Sequence, residues 1–217
     1  MEKDWHLKIH YLKSVDSTQT YLKELLKTKK ELAPVAVYTS HQTNGLGSRD
    51  NTWQGLEGNF FLSFAIDKKE LPSDLQLESA SIYFSFLLEE VLKEEGSKVW
   101  IKWPNDFYVD TFKIGGMITN LVEGTLVCGV GINLVQSPKG FANLDIEVDP
   151  RLILEKYFKN IKNKVLWKQV FSKYKLEFYK NKKFSTHKNN LKISLAGAIL
   201  QEDGSVIING ERIHSLR

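Results

Sequence analysis

Along the chain, hydrophobic residues recur at helical spacing in some segments and alternate with polar residues, or form short apolar runs, in others. Residues 21–26 carry an apolar stripe at helical spacing, directly after the candidate cap Asp16 or Ser17. Residues 80–91 repeat the helical spacing, and Gly96 follows where a helix end is expected. Both segments are therefore predicted to be helices that turn one face toward a core.

Short apolar runs typical of strands fill much of the remaining chain. They lie at residues 35–38, 60–64, 99–101, 107–109, 114–121 and 125–134, and a last β-like segment at 191–216 contains an Asp203-Gly204 turn. Another helix is predicted to open at Asp149-Pro150, with helical spacing continuing from Trp167 to Phe178. The consecutive short strands from 99 to 134 suit an antiparallel arrangement.

Composition changes this picture little. The 217 residues, 42% hydrophobic and 26% charged, are typical of a folded globular chain and fit one large α/β domain with a small appendage. The net charge of +4 suits phosphate ligands or an acidic partner without choosing between them. The single Cys128 excludes an internal disulfide, and the absence of a leader or a long apolar stretch predicts a cytoplasmic protein.

The loop from Gln42 to Trp53 is the first candidate for chemistry. Gly45 and Gly47 would let backbone N–H groups turn toward a ligand, and Arg49 offers a fork of donors for phosphate oxygens. A plain surface turn with an exposed arginine explains the same residues when the loop is taken alone.

The second candidate is the segment Lys102-Trp103-Pro104-Asn105-Asp106. Pro104 should end a strand and place Asn105 and Asp106 on the turn that follows. Lys102 could then neutralise phosphate, and Asp106 could hold Mg²⁺, which takes one or two carboxylates in nucleotide sites. The alternative is an ordinary Asn-Asp turn beside a solvated lysine.

Glycine-rich strands supply the third candidate. Lys113 precedes the glycine pair 115–116, and alternation in the next strand puts Gly129, Gly131 and Asn133 on one face. A flat ligand could lie over such a bare face, although tight packing under a helix would require the same glycines.

Several large enzyme classes lose support because their motifs are missing. The chain contains no G-x-x-x-x-G-K-[ST] loop, no G-x-G-x-x-G helix start, no H-E-x-x-H and no G-x-S-x-G elbow. Its five histidines show no metal-ligand spacing, so no transition metal is implied.

Taken in order, these segments resemble the catalytic domain of biotin protein ligases. The resemblance runs from about Leu12 to Leu134 and implies a mixed, largely antiparallel sheet with flanking helices. We expect a catalytic domain at 1–186 and a shortened C-terminal β segment at 187–217. Some family members carry an N-terminal DNA-binding helix-turn-helix, and this chain resembles the short form without it, so no DNA contact is expected.

The resemblance also implies roles for individual residues. Lys113 and Arg49 would be catalytic, and biotin would be held by Ser17, Thr18, Gln19, Gln42, Gly45, Leu46, Gly47, Ser48, Lys113, Gly116 and Gly129. The nucleotide would contact Arg49, Trp53, Lys102, Asn105 and Asn133, and Asp106 would bind Mg²⁺.

One departure from the family pattern concerns the lid. The family commonly has Gly-Arg-Gly-Arg where this chain has Gly45-Leu46-Gly47-Ser48, so two cationic contacts are missing. We expect a looser hold on the reactive intermediate, and Gln19 in place of the common asparagine is a milder change.

The implied activity is ATP-dependent formation of biotinyl-5'-AMP, followed by transfer of biotin to a lysine of the biotin carboxyl carrier protein of acetyl-CoA carboxylase. The enzyme would act as a monomer or homodimer, away from membranes. A lipoate ligase or octanoyl transferase is the nearest rival, and a module that binds single-stranded nucleic acid is a rival of another class. The absence of a basic stripe argues against the second.

Overall fold

The computed structural model describes residues 6–47, 51–188 and 191–214. The helices are α1 (Thr18–Lys27), α2 (Ala80–Glu94), α3 (Pro150–Lys162) and α4 (Trp167–Glu177). The strands are β1 (Lys8–Leu12), β2 (Val35–Thr39), β3 (Gly45–Leu46), β4 (Thr52–Trp53), β5 (Phe60–Asp67), β6 (Trp100–Lys102), β7 (Asp106–Val109), β8 (Phe112–Val122), β9 (Thr125–Ile132), β10 (Ser185–Lys188), β11 (Leu191–Ser194), β12 (Ile199–Leu200), β13 (Val206–Ile208) and β14 (Glu211–Ile213). Short 3₁₀ turns occupy Lys68–Glu70, Leu77–Ser79 and Phe178–Lys183.

A seven-stranded sheet forms the centre, in the order β1-β2-β5-β9-β8-β7-β6. β1 runs parallel to β2, and the remaining neighbours pair antiparallel. The predicted mixed, largely antiparallel α/β fold is confirmed, including the consecutive antiparallel strands from β6 to β9.

The two faces of the sheet have different coverings, which follow from alternation along β5. Phe60, Leu62 and Phe64 point into the large core built with α2, α3 and α4. Ala65 belongs to the smaller cluster beneath α1, which includes Leu22. Because α1 is only ten residues long, it covers only part of this face of the sheet. The candidate site lies on the uncovered part.

Helix caps agree with the sequence, but one predicted helix is divided. The Ser17 side chain caps α1 by accepting from Thr20 N at 3.3 Å, and Asp149 caps α3 by accepting from Arg151 N at 2.8 Å. The helical spacing that we expected to continue past α3 is interrupted by a turn, in which Lys164 adopts a φ of 49°. α4 then begins at Trp167.

The C-terminal residues form a three-stranded sheet, β12-β13-β14, against the main body. Its buried side chains Val206, Ile208 and Ile213 belong to the same hydrophobic cluster as the central sheet. The predicted Asp203-Gly204 turn joins β12 to β13, and Gly204 has a φ of 76°. The domain boundary between residues 186 and 187 stays a prediction.

No helix in the described ranges combines the length and apolar character that a membrane crossing needs.

Candidate active site

A cavity of about 330 Å³ opens beside the N-terminus of α1. Its walls come from residues 17–19, the loop that joins β2 to β5, and strands β5, β8 and β9. This size lies at the lower end of the range typical of small-molecule sites.

Hydrogen bonds tie the start of α1 to the loop. Gln42 Oε1 accepts from Thr18 N at 2.9 Å and from Thr18 Oγ1 at 3.1 Å, and Thr18 Oγ1 lies 2.9 Å from Ser63 Oγ. The backbone N–H groups of Thr43 and Asn44 donate to the carbonyls of Val15 and Asp16. The wall is thus held by the backbone and by buried polar side chains, which fixes its shape before a ligand arrives.

The loop folds back as a small hairpin, β3-β4, in which Gly45 faces Trp53. A Cβ at Gly45 would lie 2.4 Å from Gln42 Nε2 and 2.6 Å from the Trp53 carbonyl oxygen, so only glycine fits without a shift. Ser48 and Arg49, both expected to bind ligand, lie outside the described residues.

Glycines form the floor of the cavity. A Cβ at Gly129 would lie 3.3 Å from Gln19 Nε2, and one at Gly131 would lie 2.9 Å from Trp53 Nε1. Gly116 is roomier, since its nearest neighbour would be Asp106 Oδ1 at 3.4 Å. The bare face predicted for these strands is therefore present, and it opens into a cavity next to α1.

Two polar atoms at this floor are buried without a hydrogen-bond partner in the described part of the chain: Gln19 Nε2 and Trp53 Nε1. Buried donors are nearly always satisfied in folded proteins, so these two atoms are available to an acceptor that enters the cavity. Both can donate to an acceptor placed over the glycines.

Lys113 and Asp106 form the charged end of the cavity, and Lys102 contacts the same carboxylate from outside the lining. Lys113 Nζ lies 2.6 Å from Asp106 Oδ1, and Lys102 Nζ lies 3.3 Å from Asp106 Oδ2. Burial by itself would raise the pKa of the Asp106 carboxyl, but the two ammonium groups outweigh burial and hold that pKa below its ordinary value. The carboxylate is therefore ionised and positions both lysines.

The same contacts bear on the expected Mg²⁺ site at Asp106. Each carboxylate oxygen already accepts from a lysine ammonium group, and a cation placed there would face two like charges. In this arrangement Asp106 does not fit a Mg²⁺ site.

A β-bulge explains how Lys113 reaches Asp106. The pairing of β7 with β8 shifts between Phe107 and Tyr108, so that Asp106 pairs with Gly116 while Tyr108 pairs with Lys113. Bulges commonly redirect side chains beside active sites.

Comparison with known proteins places this geometry in a family. A family model described as the biotin/lipoate A/B protein ligase family matches residues 11–136, more than half of the chain. The chain belongs to this biotin/lipoate protein ligase family.

Individual members of the ligase family show how far the likeness extends. A Helicobacter pylori structure described as biotin acetyl coenzyme A carboxylase synthetase with bound biotinylated ATP is 40% identical, with a TM-score of 0.92 over 96% of this chain and 100% of that one. The bifunctional ligase/repressor BirA of Escherichia coli K12 is 31% identical over 127 residues, which are 55% of this chain and 38% of BirA. The match thus spans well under half of BirA.

A biotin protein ligase from Aquifex aeolicus, in complex with biotin and ATP, has the same fold, with a TM-score of 0.76 at 23% identity. The alignment covers 97% of this chain and 96% of that one.

Most of the residues predicted from the ligase family resemblance meet at the cavity. Those that line it are Ser17, Thr18, Gln19, Gln42, Leu46, Gly47, Trp53, Asn105, Asp106, Lys113, Gly116 and Gly129. Their roles toward ligands stay predictions, but their convergence from five separate segments of the chain is observed.

Of the predicted residues that the structure describes, three lie apart from this lining. Gly45 packs behind it against Gln42, and Lys102 faces a neighbouring cavity. Asn133 follows the end of β9, where its Nδ2 donates to the Ala142 carbonyl at 3.1 Å. Asn133 therefore does not join Gly129 and Gly131 in the lining, although its backbone N–H still donates to the Ile114 carbonyl of β8.

A related difference concerns Asp106. It was expected on a turn, but it is the first residue of β7 and pairs with Lys102 across the β6-β7 hairpin. The turn consists of residues 103–105 alone. This pairing is what brings the two lysines and the carboxylate together.

Sequence reasoning missed several residues of the lining. Ser63 lies in the middle of the apolar run of β5, and its polarity among large hydrophobic residues was the available signal. Phe141 lies in the loop after β9, with its ring centroid 6.1 Å from that of Trp53. Nothing local to Phe141 marked it, because its approach to Trp53 depends on tertiary structure.

Proposed function

We propose that this chain is an ATP-dependent ligase that activates biotin as biotinyl-5'-AMP and transfers it to a specific lysine of the biotin carboxyl carrier protein of acetyl-CoA carboxylase. One observation carries the proposal. The glycine-floored cavity with Lys113 at its charged end lies in a chain that is 40% identical, over nearly its whole length, to a protein solved with biotinylated ATP bound.

The chemistry explains why the cavity needs a cation at one end. A carboxylate resists attack by an amine, so biotin must first be converted to a mixed anhydride with AMP. In that step a biotin carboxylate oxygen forms a bond to the α-phosphorus of ATP, and pyrophosphate leaves. Lys113, held by Asp106, would stabilise the charge on the phosphate oxygens in the transition state.

The polar wall near α1 suits the ureido ring of biotin. Ser17, Thr18 and Gln19 are nearly fully buried, and Gln19 Nε2 has no hydrogen-bond partner within the described ranges. A ring lying over Gly129 would be within reach of that donor. Rigid polar groups of this kind fix orientation and supply specificity in an otherwise apolar site.

Aromatic residues at the opposite rim suit the adenine. The Trp53 and Phe141 rings meet edge to face, and Lys113 Nζ lies 5.7 Å from the centre of the Trp53 ring. Trp53 Nε1 is buried without a hydrogen-bond partner among the described residues. We propose that the purine packs against these rings and that Asn105 faces the phosphates.

Transfer follows when the carrier lysine attacks the anhydride and AMP leaves. The loop of residues 42–53 would have to exclude water long enough for this aminolysis. Its backbone bonds to Val15 and Asp16 hold one end in place. The carrier protein as partner, a cytoplasmic location and a monomeric or dimeric state belong to the same proposal.

Incorporation of labelled biotin into a carrier domain tests the proposal. The purified chain, ATP, Mg²⁺ and a biotin carboxyl carrier domain should together label the carrier lysine, and omitting ATP or the chain should abolish the label. Labelled lipoate and octanoate serve as matched controls. Transfer of either in preference to biotin would favour the rival acyl transferase, and no transfer of any acyl group would overturn the assignment.

A further inference from the structure

A side chain closes one outer edge of the central sheet. β6 is the last strand of that sheet, so the backbone groups on its outer side have no neighbouring strand to pair with. Asn181, in the 3₁₀ turn that follows α4, lies beside this edge and is fully buried. Its Oδ1 accepts from Trp103 N at 2.6 Å, and its Nδ2 donates to the Ile101 carbonyl at 3.4 Å. A C=O group and the N–H group two residues later point to the same edge of a strand, so the amide takes the place of a further strand.

The edge that Asn181 holds continues directly into the charged end of the candidate site. Lys102 lies between the two bonded backbone groups, and the turn of residues 103–105 follows it. The turn ends at Asp106, whose Oδ1 lies 2.6 Å from Lys113 Nζ. A shift of the turn would therefore move the Asp106 carboxylate and, with it, the Lys113 ammonium group.

Trp103 is attached to the rest of the molecule at two different atoms. Its backbone N–H donates to Asn181, and its indole Nε1 donates to the Gly204 carbonyl at 2.8 Å. The indole is also fully buried in the core. Removal of the Asn181 amide should therefore free the backbone of the turn while the ring stays in place.

The position of Asn181 is itself fixed from both sides. Before it, Glu177 at the end of α4 forms an ion pair with Lys93 of α2. After it, Phe184 N donates to the Asn181 carbonyl at 2.9 Å, and the Phe184 ring centroid lies 5.2 Å from that of Trp100 in β6. The 3₁₀ turn is thus anchored both to a helix of the core and to the strand that Asn181 supports.

We propose that Asn181 is a positioning residue of the ligase reaction. By holding the backbone of residues 101–103, it keeps Asp106, and through Asp106 the Lys113 ammonium group, in place for adenylate formation. Asn181 lines neither the candidate cavity nor its neighbour, so it acts through the turn and not on a substrate. The inference rests on the proposed ligase function.

The test compares two replacements of Asn181. Asn181→Leu keeps a similar volume but removes both the donor and the acceptor, whereas Asn181→Asp keeps the acceptor for Trp103 N. In Asn181→Leu we expect kcat for adenylate formation, measured by pyrophosphate release, to fall about tenfold or more, because a misplacement of about 1 Å can cost about 100-fold in rate. The KM for biotin should stay close to that of the wild type, and Asn181→Asp should keep more of the rate than Asn181→Leu.

Tyr83→Phe is the matched control, since it also removes a buried hydrogen bond to the backbone. Tyr83 Oη donates to the Val165 carbonyl at 2.8 Å, and neither residue lines a cavity. All variants are assayed well below their Tm, and Tyr83→Phe should keep the wild-type kcat. An unchanged kcat in Asn181→Leu would overturn the inference, and so would an equal loss of kcat in Tyr83→Phe.

Hydrogen exchange measured by mass spectrometry examines the turn directly, without any activity. Amides in residues 99–109 should exchange faster in Asn181→Leu than in the wild type or in Tyr83→Phe. This measurement separates the inference from failure of the ligase function. If the wild type made no adenylate, faster exchange confined to this hairpin would still support Asn181 as the residue that holds it, and unchanged exchange would refute that role.

Discussion

Lys113 has two neighbours that fix the position of its ammonium group. The Asp106 carboxylate lies 2.6 Å away, and the centre of the Trp53 ring lies 5.7 Å away. A charge held in place before the reaction needs no reorganisation when negative charge develops, and this preorganisation is the main source of electrostatic catalysis.

Replacing Lys113 with alanine should therefore slow adenylate formation severely. We expect a loss of about 100-fold or more in the rate of pyrophosphate release at saturating biotin and ATP, on the scale of deleting a contact to transition-state charge. Lys139→Ala, which removes an exposed lysine outside both cavities, serves as control. Near-normal pyrophosphate release by Lys113→Ala would remove Lys113 from the catalytic role.

The glycine pair at the start of β8 offers a second comparison. A Cβ at Gly115 would lie 2.5 Å from the Gly131 carbonyl oxygen and 2.5 Å from Ile132 Cδ1. The carbonyl belongs to the backbone of the neighbouring strand and cannot move away easily. A Cβ at Gly116 would meet Asp106 Oδ1 at 3.4 Å and would otherwise enter the cavity. Gly115→Ala should thus strain the sheet, whereas Gly116→Ala should obstruct the ligand.

We expect Gly115→Ala to lower the free energy of unfolding by about 1–3 kcal/mol, as overpacking does. At about 2–4 °C per kcal/mol for a chain of this size, differential scanning calorimetry would resolve the change in Tm. Gly116→Ala should keep a Tm close to the wild type and weaken biotin binding, measured by titration calorimetry. The reverse pattern, with Gly116→Ala the less stable variant, would contradict the packing of this floor.

At the scale of residues, the sequence identified candidate side chains of the site but not the contacts between them. Thr18 and Gln42 could both be named from motifs, but their hydrogen bond joins residues 24 positions apart and required the fold. Ser63 could be noticed as a polar residue in an apolar strand, yet its proximity to Thr18 could not. The role expected for Asn133 could not foresee that its amide donates to the Ala142 carbonyl, a contact with the loop after β9 that local pattern does not determine.

At the scale of elements, the strongly periodic segments were predicted and the weakly periodic ones were missed. β1, Lys8–Leu12, lies at the edge of the sheet with partly exposed residues throughout, so alternation is faint. β10 has one buried residue, Thr186. The break between α3 and α4 falls at Asn163-Lys164 without glycine or proline to signal it.

The packing of α2 against α4 buries a carboxyl group and should make stability depend on pH. Glu89 on α2 is 1% exposed, and burial raises its pKa to about 7 even though Lys93 Nζ lies 2.7 Å away. The folded state therefore holds this proton more tightly than the unfolded state, in which the pKa is near 4.5. The resulting stabilisation is fully present below pH 4.5 and is lost as the pH rises through about 7.

Glu89→Gln should remove this dependence, because the amide stays neutral. Denaturant unfolding at pH 5 and pH 8 measures the effect, and we expect a smaller difference between the two pH values in Glu89→Gln than in the wild type. Glu90→Gln is the matched control, since the Glu90 carboxylate pairs with Lys173 at the surface. Equal pH dependence in Glu89→Gln and wild type would show that Glu89 does not titrate in this range.

At the scale of the whole molecule, the C-terminal sheet is joined to the main body through hydrogen bonds as well as apolar contacts. Three backbone carbonyls in the turn between β12 and β13 accept hydrogen bonds from side chains of the main body. Trp103 Nε1 donates to the Gly204 carbonyl at 2.8 Å, and Trp167 Nε1 donates to the Glu202 carbonyl at 2.8 Å. Ser79 Oγ donates to the Asp203 carbonyl at 2.7 Å. Trp103 is fully buried and lies in the turn between Lys102 and Asp106, so the charged end of the site is supported by this sheet.

A shared core and shared hydrogen bonds imply that the two parts unfold together. Calorimetry should therefore show a single transition whose van't Hoff and calorimetric enthalpies agree. Trp103→Phe, which keeps an aromatic ring but removes part of the buried side chain and leaves the Gly204 carbonyl without its donor, should lower the free energy of unfolding by at least about 1–3 kcal/mol and still unfold in one step. A separate transition at lower temperature, in wild type or variant, would mean that the C-terminal sheet folds independently. In that case only the main body would hold the turn that contains Trp103 in place.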